Sequence, residues 1–430
     1  MPGIRQEKDS RGRTLETEGV KMNKEALKKY AQLVVKTGIN IQPNQTLVIS
    51  TPVECAPFAR ILSETAYEEG AREVVLNWSD EISSRIRYLH GADEIFDEVP
   101  EWRREFYLSY ARAGAAFLSI SASDPELMKD VDPDRMSRAD KASSVALKEY
   151  RERMMSNQNT WCVVSAPTVA WAKKVFPGEP EEQAVAKLWE AILQSVRADT
   201  ADPVKAWEQH KASLKEHMNA LNQMELQWVH VKNSLGTDLR VELPKNHVWL
   251  GGAEVAADGV EFIANMPTEE VFTAPARTGV HGTVVSSMPL NYNGNLIENF
   301  SMTFEDGRIT GVRAEKGEEI LKHLIHTDEG SHYLGEFSLV PWHSPISERG
   351  ILFYNTLFDE NASCHMAIGK AYPTCLTDSE SMDREGLIAA GINDSLIHVD
   401  FMFGTKDLCI EGKTADGKTV SIFRDGDFDL

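Results

Sequence analysis

Six side chains in the second half of the chain have the types and spacing to do chemistry. They are Glu270 in "NMPTEEVFTAP", Glu336 in "GEFSLVP", Glu360 and His365 in "LFDENASCH", and His398 and Asp400 in "LIHVDFMF". Each sits in an apolar or turn-rich phrase, where a carboxylate is out of place without a partner. In a strand, residues two apart share a face, so His398 and Asp400 project together while Val399 faces away. Leu396, Ile397, Phe401 and Phe403 mark that strand as buried. A buried unpaired Asp is costly, so Asp400 needs a cation, a donor or a metal. Taken alone, a His–Asp pair satisfying itself in a core, or an edge strand facing water, explains the motif equally well.

The other phrases are as ambiguous singly. Glu336 and Ser338 share one strand face, with Phe337 and Leu339 on the other, yet Glu336 could be a solvated strand end. "DENASCH" could be a loop and helix start capped by Asp359 or Asn361, with His365 a satisfied core histidine. Strand alternation sends the neighbours Glu269 and Glu270 to opposite sides, so one of them alone would meet a metal directly; that role falls to Glu270. Glu269 is left as a supporting contact or a reader of a substrate amine. Together, carboxylates and imidazoles are what Zn²⁺, Co²⁺ or Mn²⁺ take as ligands, and this many suit two adjacent ions better than one. The acids and histidines of "KGEEILKHLIHTDEG" are explained by a solvated helix face. His332 and His343 lack strand-spaced acidic companions, and Cys364 beside His365 reads as a small buried hydrophobe.

These residues need a scaffold, and 430 residues are too many for one ordinary core. The opening stretch 1–21 is polar and reads as a disordered extension, with Met22 a natural start for the folded chain. From 22 to 225, short apolar runs ("TLVIS", "REVVLNW", "GAAFLSIS", "WCVVSAP") alternate with helical sequence, which predicts a doubly wound, mostly parallel sheet. Helical sequence over 181–222 bridges to a strand-rich α+β half, 226–430, with hairpins turning at 235–238 and at Asp306-Gly307. No phosphate-cradling glycine motif follows a strand, and H-E-x-x-H and G-x-S-x-G are absent, so nucleotide, zincin and α/β-hydrolase readings lose their usual support.

Composition excludes further classes. Lys plus Arg number 45 against 66 Asp plus Glu, a net charge of -21, which repels phosphate backbones and disfavours nucleic acid. No apolar run approaches the ~18 residues of a membrane span. Five cysteines without CxxC spacing read as reduced cytoplasmic thiols.

The phrases "NMPTEEVFTAP", "GEFSLVP", "LFYNTLFDENASCHMAIGKAYP" and "LIHVDFMFG" resemble those of the aminopeptidase T/aminopeptidase S family of bacterial metallo-aminopeptidases, and the resemblance runs from Met22 to the end. It implies a cytoplasmic, homodimeric exopeptidase acting on peptides, with two divalent ions per subunit (Zn, Co, Mn or Mg) in the second domain. Carried over by position, Glu270, Glu336, His365, His398 and Asp400 would be metal ligands, with Glu336 bridging. Glu360 would bind metal directly or through the attacking water, and Tyr372 in "KAYP" would be the catalytic tyrosine. Without the resemblance Tyr372 is a core aromatic. In this reading a bridging hydroxide attacks the N-terminal peptide bond. A two-metal amidohydrolase or phosphoesterase, and a non-enzymatic small-molecule binder built on the α/β half, are the alternatives.

Overall fold

The computed structural model describes residues 24–292 and 295–430; the extension 1–21 and the start at Met22 lie outside them. The four apolar runs of the first half become the strands Thr46–Pro52, Glu73–Ser79, Ala116–Ser121 and Trp161–Ser165. All pair in parallel, with Glu73–Ser79 at one edge, Thr46–Pro52 next to it, then Ala116–Ser121 and Trp161–Ser165. Their side chains feed cores on both faces. Leu47, Ile49, Leu118 and Val164 pack with Phe58 and Leu62 of the helix Ala56–Glu68 and with Leu188 and Ile192 of the helix Glu181–Ser195. Val48 and Phe117 turn the other way, onto Ala111 and Met154. Apolar contact on both faces is what lets a parallel strand be a near-continuous apolar run.

The helical bridge is two helices, Glu181–Ser195 and Pro203–Gln223. The break at 196–202 follows from local chemistry. Pro203 lacks an N–H and suits the first helical position, and the Asp202 carboxylate accepts from the Lys205 N–H at 3.1 Å.

Beyond residue 225 the pairing is antiparallel. Leu226–Lys232 pairs with Asp238–Glu242, and Asn295–Glu305 with Arg308–Lys316. The second hairpin turns at Asp306-Gly307, both with positive φ (47° and 78°), as a two-residue turn matched to strand twist requires. These strands belong to a nine-stranded sheet. A second, five-stranded sheet runs in the order His398–Met402, His365–Gly369, Leu334–Leu339, Val271–Thr273, Leu250–Gly251. One face of it, with Val271, Phe337, Leu339, Met366, Ile368 and Phe401, joins a core with Val231, Leu239, Phe300 and Ile410 of the larger sheet.

Two local expectations are revised. Leu396 is exposed, and His398–Met402 is the sheet's edge strand, buried only at its end by Phe401 and Met402, with Phe403 just beyond. The helix Thr356–Asp359 is capped by Asn355, whose side chain accepts from the Leu357 N–H, while Asp359 takes the N–H groups of Phe353 and Asn355. The segment 346–362 packs back on the parallel sheet's core through Ile346, Phe353, Leu357 and Phe358, and the Trp171 indole donates to the Phe353 carbonyl at 2.6 Å. That packing suspends Glu360 between the parallel sheet and the five-stranded one.

Candidate metal centre

Register places the acids and imidazoles on one face of the five-stranded sheet. Ser338 lies opposite His365, Glu336 opposite Ala367, Ala367 opposite Asp400, and Gly369 opposite His398. With period-two alternation, Glu336, Ser338, His365, His398 and Asp400 therefore share a face, and Glu270, two residues before Phe272, joins them from the next strand. The glycines allow the close approach. Gly335 sits at a bulge where a Cβ would meet the Lys370 carbonyl oxygen at 2.3 Å, and Gly369 takes φ +106° with the Ile397 oxygen at 2.2 Å from the same notional atom.

The side chains meet in two groups that share one member. Glu270, Glu336 and His365 bring ligand atoms together, as do Glu336, His398 and Asp400, all within 4.8 Å of one another in each group. His365 Nε2 lies 3.1 Å from Glu270 Oε2 and 3.4 Å from Glu336 Oε1. His398 Nε2 lies 3.4 Å from Glu336 Oε2 and 3.2 Å from Asp400 Oδ1. The two oxygens of Glu336 thus face different imidazoles. Both rings are oriented through their other nitrogen: His398 Nδ1 is 2.6 Å from the Lys370 carbonyl and His365 Nδ1 is 3.1 Å from the Ser363 carbonyl. Donation of Nδ1–H to a carbonyl fixes the tautomer and leaves Nε2 for a metal. The Ser338 hydroxyl donates to Glu270 Oε2 at 2.9 Å.

Electrostatics here is severe. Burial alone raises the Glu336 carboxyl, yet hydrogen bonds from His365 and His398 outweigh it and hold its pKa at about 2. Burial pulls both imidazoles down, but their carboxylate partners drive them well above the ordinary histidine value. Glu360 is pushed well up, first by burial and then by Asp400 and Glu270. The Tyr372 hydroxyl is raised by burial and by the same acids, and its ring packs edge-on to His398 at 5.1 Å between centroids. Four carboxylates around two imidazoles leave excess negative charge in a partly dry site, and divalent cations are what such a hard O/N donor set accepts.

Glu270, Glu336, His365, His398 and Asp400 therefore converge as the sequence led one to expect. Glu360 lies beside them, outside both donor groups, with its Oε1 at 3.4 Å from the Asn361 amide nitrogen. It forms part of the wall of a cavity of about 540 Å³ that also touches Ser121, Asp124, Met128, Asn265 and Tyr354. Glu269 does point away from Glu270. Both its oxygens are taken by the Arg197 guanidinium (2.5 and 2.9 Å) and its side chain is 3% exposed, so it does not face a substrate. Sequence reading missed Arg197 and the orienting carbonyls of Ser363 and Lys370. No local pattern joins residues 72 positions apart, and a backbone oxygen has no residue type. Cys364 is a buried thiol, pushed up to about 12 by burial, against Val340.

This arrangement has the donor set that could hold divalent metal ions. The family described as thermophilic metalloprotease (M29) matches residues 23–428, and the chain belongs to it. Aminopeptidase 2 of Geobacillus stearothermophilus is 49% identical over 94% of this chain and 97% of its own length. Aminopeptidase AmpS of Bacillus subtilis (strain 168) is 48% identical over 94% and 98%. The solved structure of wild-type AmpT from Thermus thermophilus superposes with a TM-score of 0.89 at 39% identity, covering 95% of this chain and all of that one.

Proposed function

We propose that this metalloprotease is an aminopeptidase that releases N-terminal residues from peptides with two divalent ions held by the 226–430 half. The observation that carries the reading is Glu336, shared by two donor groups and turned with one oxygen toward each imidazole. Glu270, His365 and Glu336 would hold one ion, and Glu336, His398 and Asp400 the other. When bound, the ions supply Lewis acidity and a hydroxide nucleophile at neutral pH.

The chain's own groups do the rest. Tyr372 keeps its proton because burial and the neighbouring acids raise its pKa, so its hydroxyl is a donor for the carbonyl oxygen that gains charge during attack. Glu360, outside both donor groups and in the cavity wall, keeps its proton in the metal-free site because burial and the neighbouring acids raise its pKa. Its carboxylate form, favoured beside bound dications, can take a proton from the attacking water and pass it to the leaving amine. The cavity that Glu360 shares with Ser121 and Ser123, at the carboxyl end of the strand Ala116–Ser121, gives a peptide its way to Glu360. The names of the relatives favour peptide bonds over phosphate esters. The same reading takes the protein as a cytoplasmic homodimer using zinc, cobalt, manganese or magnesium, which rests on family likeness. Among the described residues no helix is long and apolar enough to cross a membrane.

The test is turnover of aminoacyl-anilides, N-blocked peptides and phosphate esters by protein stripped with chelator and reloaded with single metals. Metal-restored cleavage of free-amine substrates alone is expected. Attack on blocked peptides or phosphate esters with none on free amines would defeat the proposal.

A further inference from the structure

Arg197 stands where a glycine would cost least. It follows the helix Glu181–Ser195 with φ +57°, and the turn is closed by Arg197 N–H to the Gln194 carbonyl (3.0 Å) and Ala198 N–H to the Leu193 carbonyl (2.7 Å). This left-handed position after a helix is usually Gly, and a residue with a side chain is strained there. The strain is retained for a side chain that reaches the metal-binding half.

What that side chain does is specific. Its guanidinium grips both oxygens of Glu269, and Nη2 also lies 3.2 Å from His210 Nδ1. His210 Nε2 lies 2.7 Å from the Thr268 carbonyl, so with its proton on Nε2 it donates there and accepts from Arg197 at Nδ1. From the opposite side Asn361 Oδ1 accepts the Glu269 N–H at 2.8 Å, while its amide donates to the Leu357 carbonyl at 3.0 Å. Three groups of Thr268–Glu269 (a carbonyl, an amide and a carboxylate) are thus pinned by three separate elements. The residue that follows is Glu270, whose carboxylate meets His365 and Ser338.

Stability alone gives no reason for this design. A buried ion pair is often no better than two packed apolar residues, because desolvation offsets the attraction. We propose that Arg197 is a positioning residue: its grip on Glu269 fixes the backbone so that Glu270 presents its carboxylate to the metal centre, and the bridge helices thereby set metal affinity. The inference rests on Glu270 being a ligand, as proposed above.

Zinc titration of the chelated full-length chain by calorimetry tests it, with thermal melting alongside. The double variant Arg197→Gly, Glu269→Leu removes the strain and both charges of the part-buried pair, so the fold should hold its melting temperature. Zinc affinity should nevertheless fall about 10–100-fold, with kcat falling alongside, as for other groups that orient ligands. Arg197→Lys keeps the charge but not the two-pronged grip, and should fall between parent and double variant. Unchanged zinc affinity in a folded double variant overturns the proposal. If the double variant does not fold, parent-like affinity in Arg197→Lys overturns it instead. A parent chain that binds no zinc defeats the Glu270 assignment and this inference with it. A parent that binds zinc but leaves aminoacyl-anilides intact defeats only the aminopeptidase reading.

Discussion

The five-stranded sheet has two faces built from the same strands, and they are held by opposite physics. On one, Phe337 is fully buried, stacking on Phe403 at 6.0 Å and meeting Trp249 edge-on at 6.2 Å. On the other, one residue along each strand, Glu336, His365 and Asp400 crowd charge into a site that water barely reaches. The apolar face lowers the free energy of folding through area removed from water. The polar face opposes folding unless its charges are compensated, because each buried ion costs several kcal/mol to desolvate. A strand can serve both only because its side chains alternate with period two. Stability and chemistry are therefore separable by substitutions one residue apart.

The largest separation should come from Glu336→Gln. A neutral amide cannot serve both donor groups, so metal content should collapse and free-amine peptide hydrolysis should fall by ~10³-fold or more, while circular dichroism keeps its native form. Full activity in this variant would remove Glu336 from the site. Its neighbour gives the converse. Phe337→Ala should lose about 3–5 kcal/mol of stability in denaturant unfolding, yet the protein that remains folded should bind metal as before. Loss of metal with unchanged stability would mean that the faces are not independent.

Tyr372→Phe is expected to act on rate alone. The hydroxyl is assigned as an oxyanion donor and the metals to carboxylates and imidazoles, so metal stoichiometry should stay at the parent value while kcat drops about 10²–10³-fold, the range for losing one oxyanion donor. Ser338→Ala sharpens the same face at lower amplitude. It deletes the hydroxyl that donates to Glu270 Oε2 at 2.9 Å, and metal affinity should weaken about 10–100-fold by calorimetric titration.

How much of this is legible in the amino-acid string depends on whether the information is local. The parallel strands announce themselves because each is a short apolar run, and the Asp306-Gly307 hairpin because only certain residues take positive φ in succession. The pair His398 and Asp400 is readable because two residues in one strand fix each other's direction. The same alternation says that only one of Glu269 and Glu270 meets a metal, but the choice of Glu270 comes from the family resemblance. What the string hides is register between strands. Nothing in "GEFSLVP" states that Glu336 will stand level with Ala367 and through it with Asp400. The exposure of Leu396 is hidden too, since beside Ile397 it looks like core. Arg197 is the extreme case, an arginine after a helix whose partner is 72 residues away.

The smallest predicted effect is a pH dependence, and its sign discriminates between the faces. In the metal-free protein the carboxylates hold His365 and His398 protonated above the ordinary histidine value near 6.5. A raised folded pKa gives stability that is fully present below the unfolded value and lost as pH rises through the folded one. Glu336, held at about 2, gives stability present above its ordinary value near 4.5 and lost as pH falls toward 2. The metal-free chain should therefore weaken on the alkaline side of 6.5, and again in strong acid. Metal must displace the imidazole protons, so its affinity should rise with pH over the alkaline window, by up to about tenfold per unit for each proton released. Calorimetry in buffers of different ionisation enthalpy counts those protons directly. A count of zero near neutral pH would mean that the imidazoles are already neutral and that the charge balance drawn for this face is wrong. Phe337→Ala should leave the count unchanged, since its face contributes no titrating group.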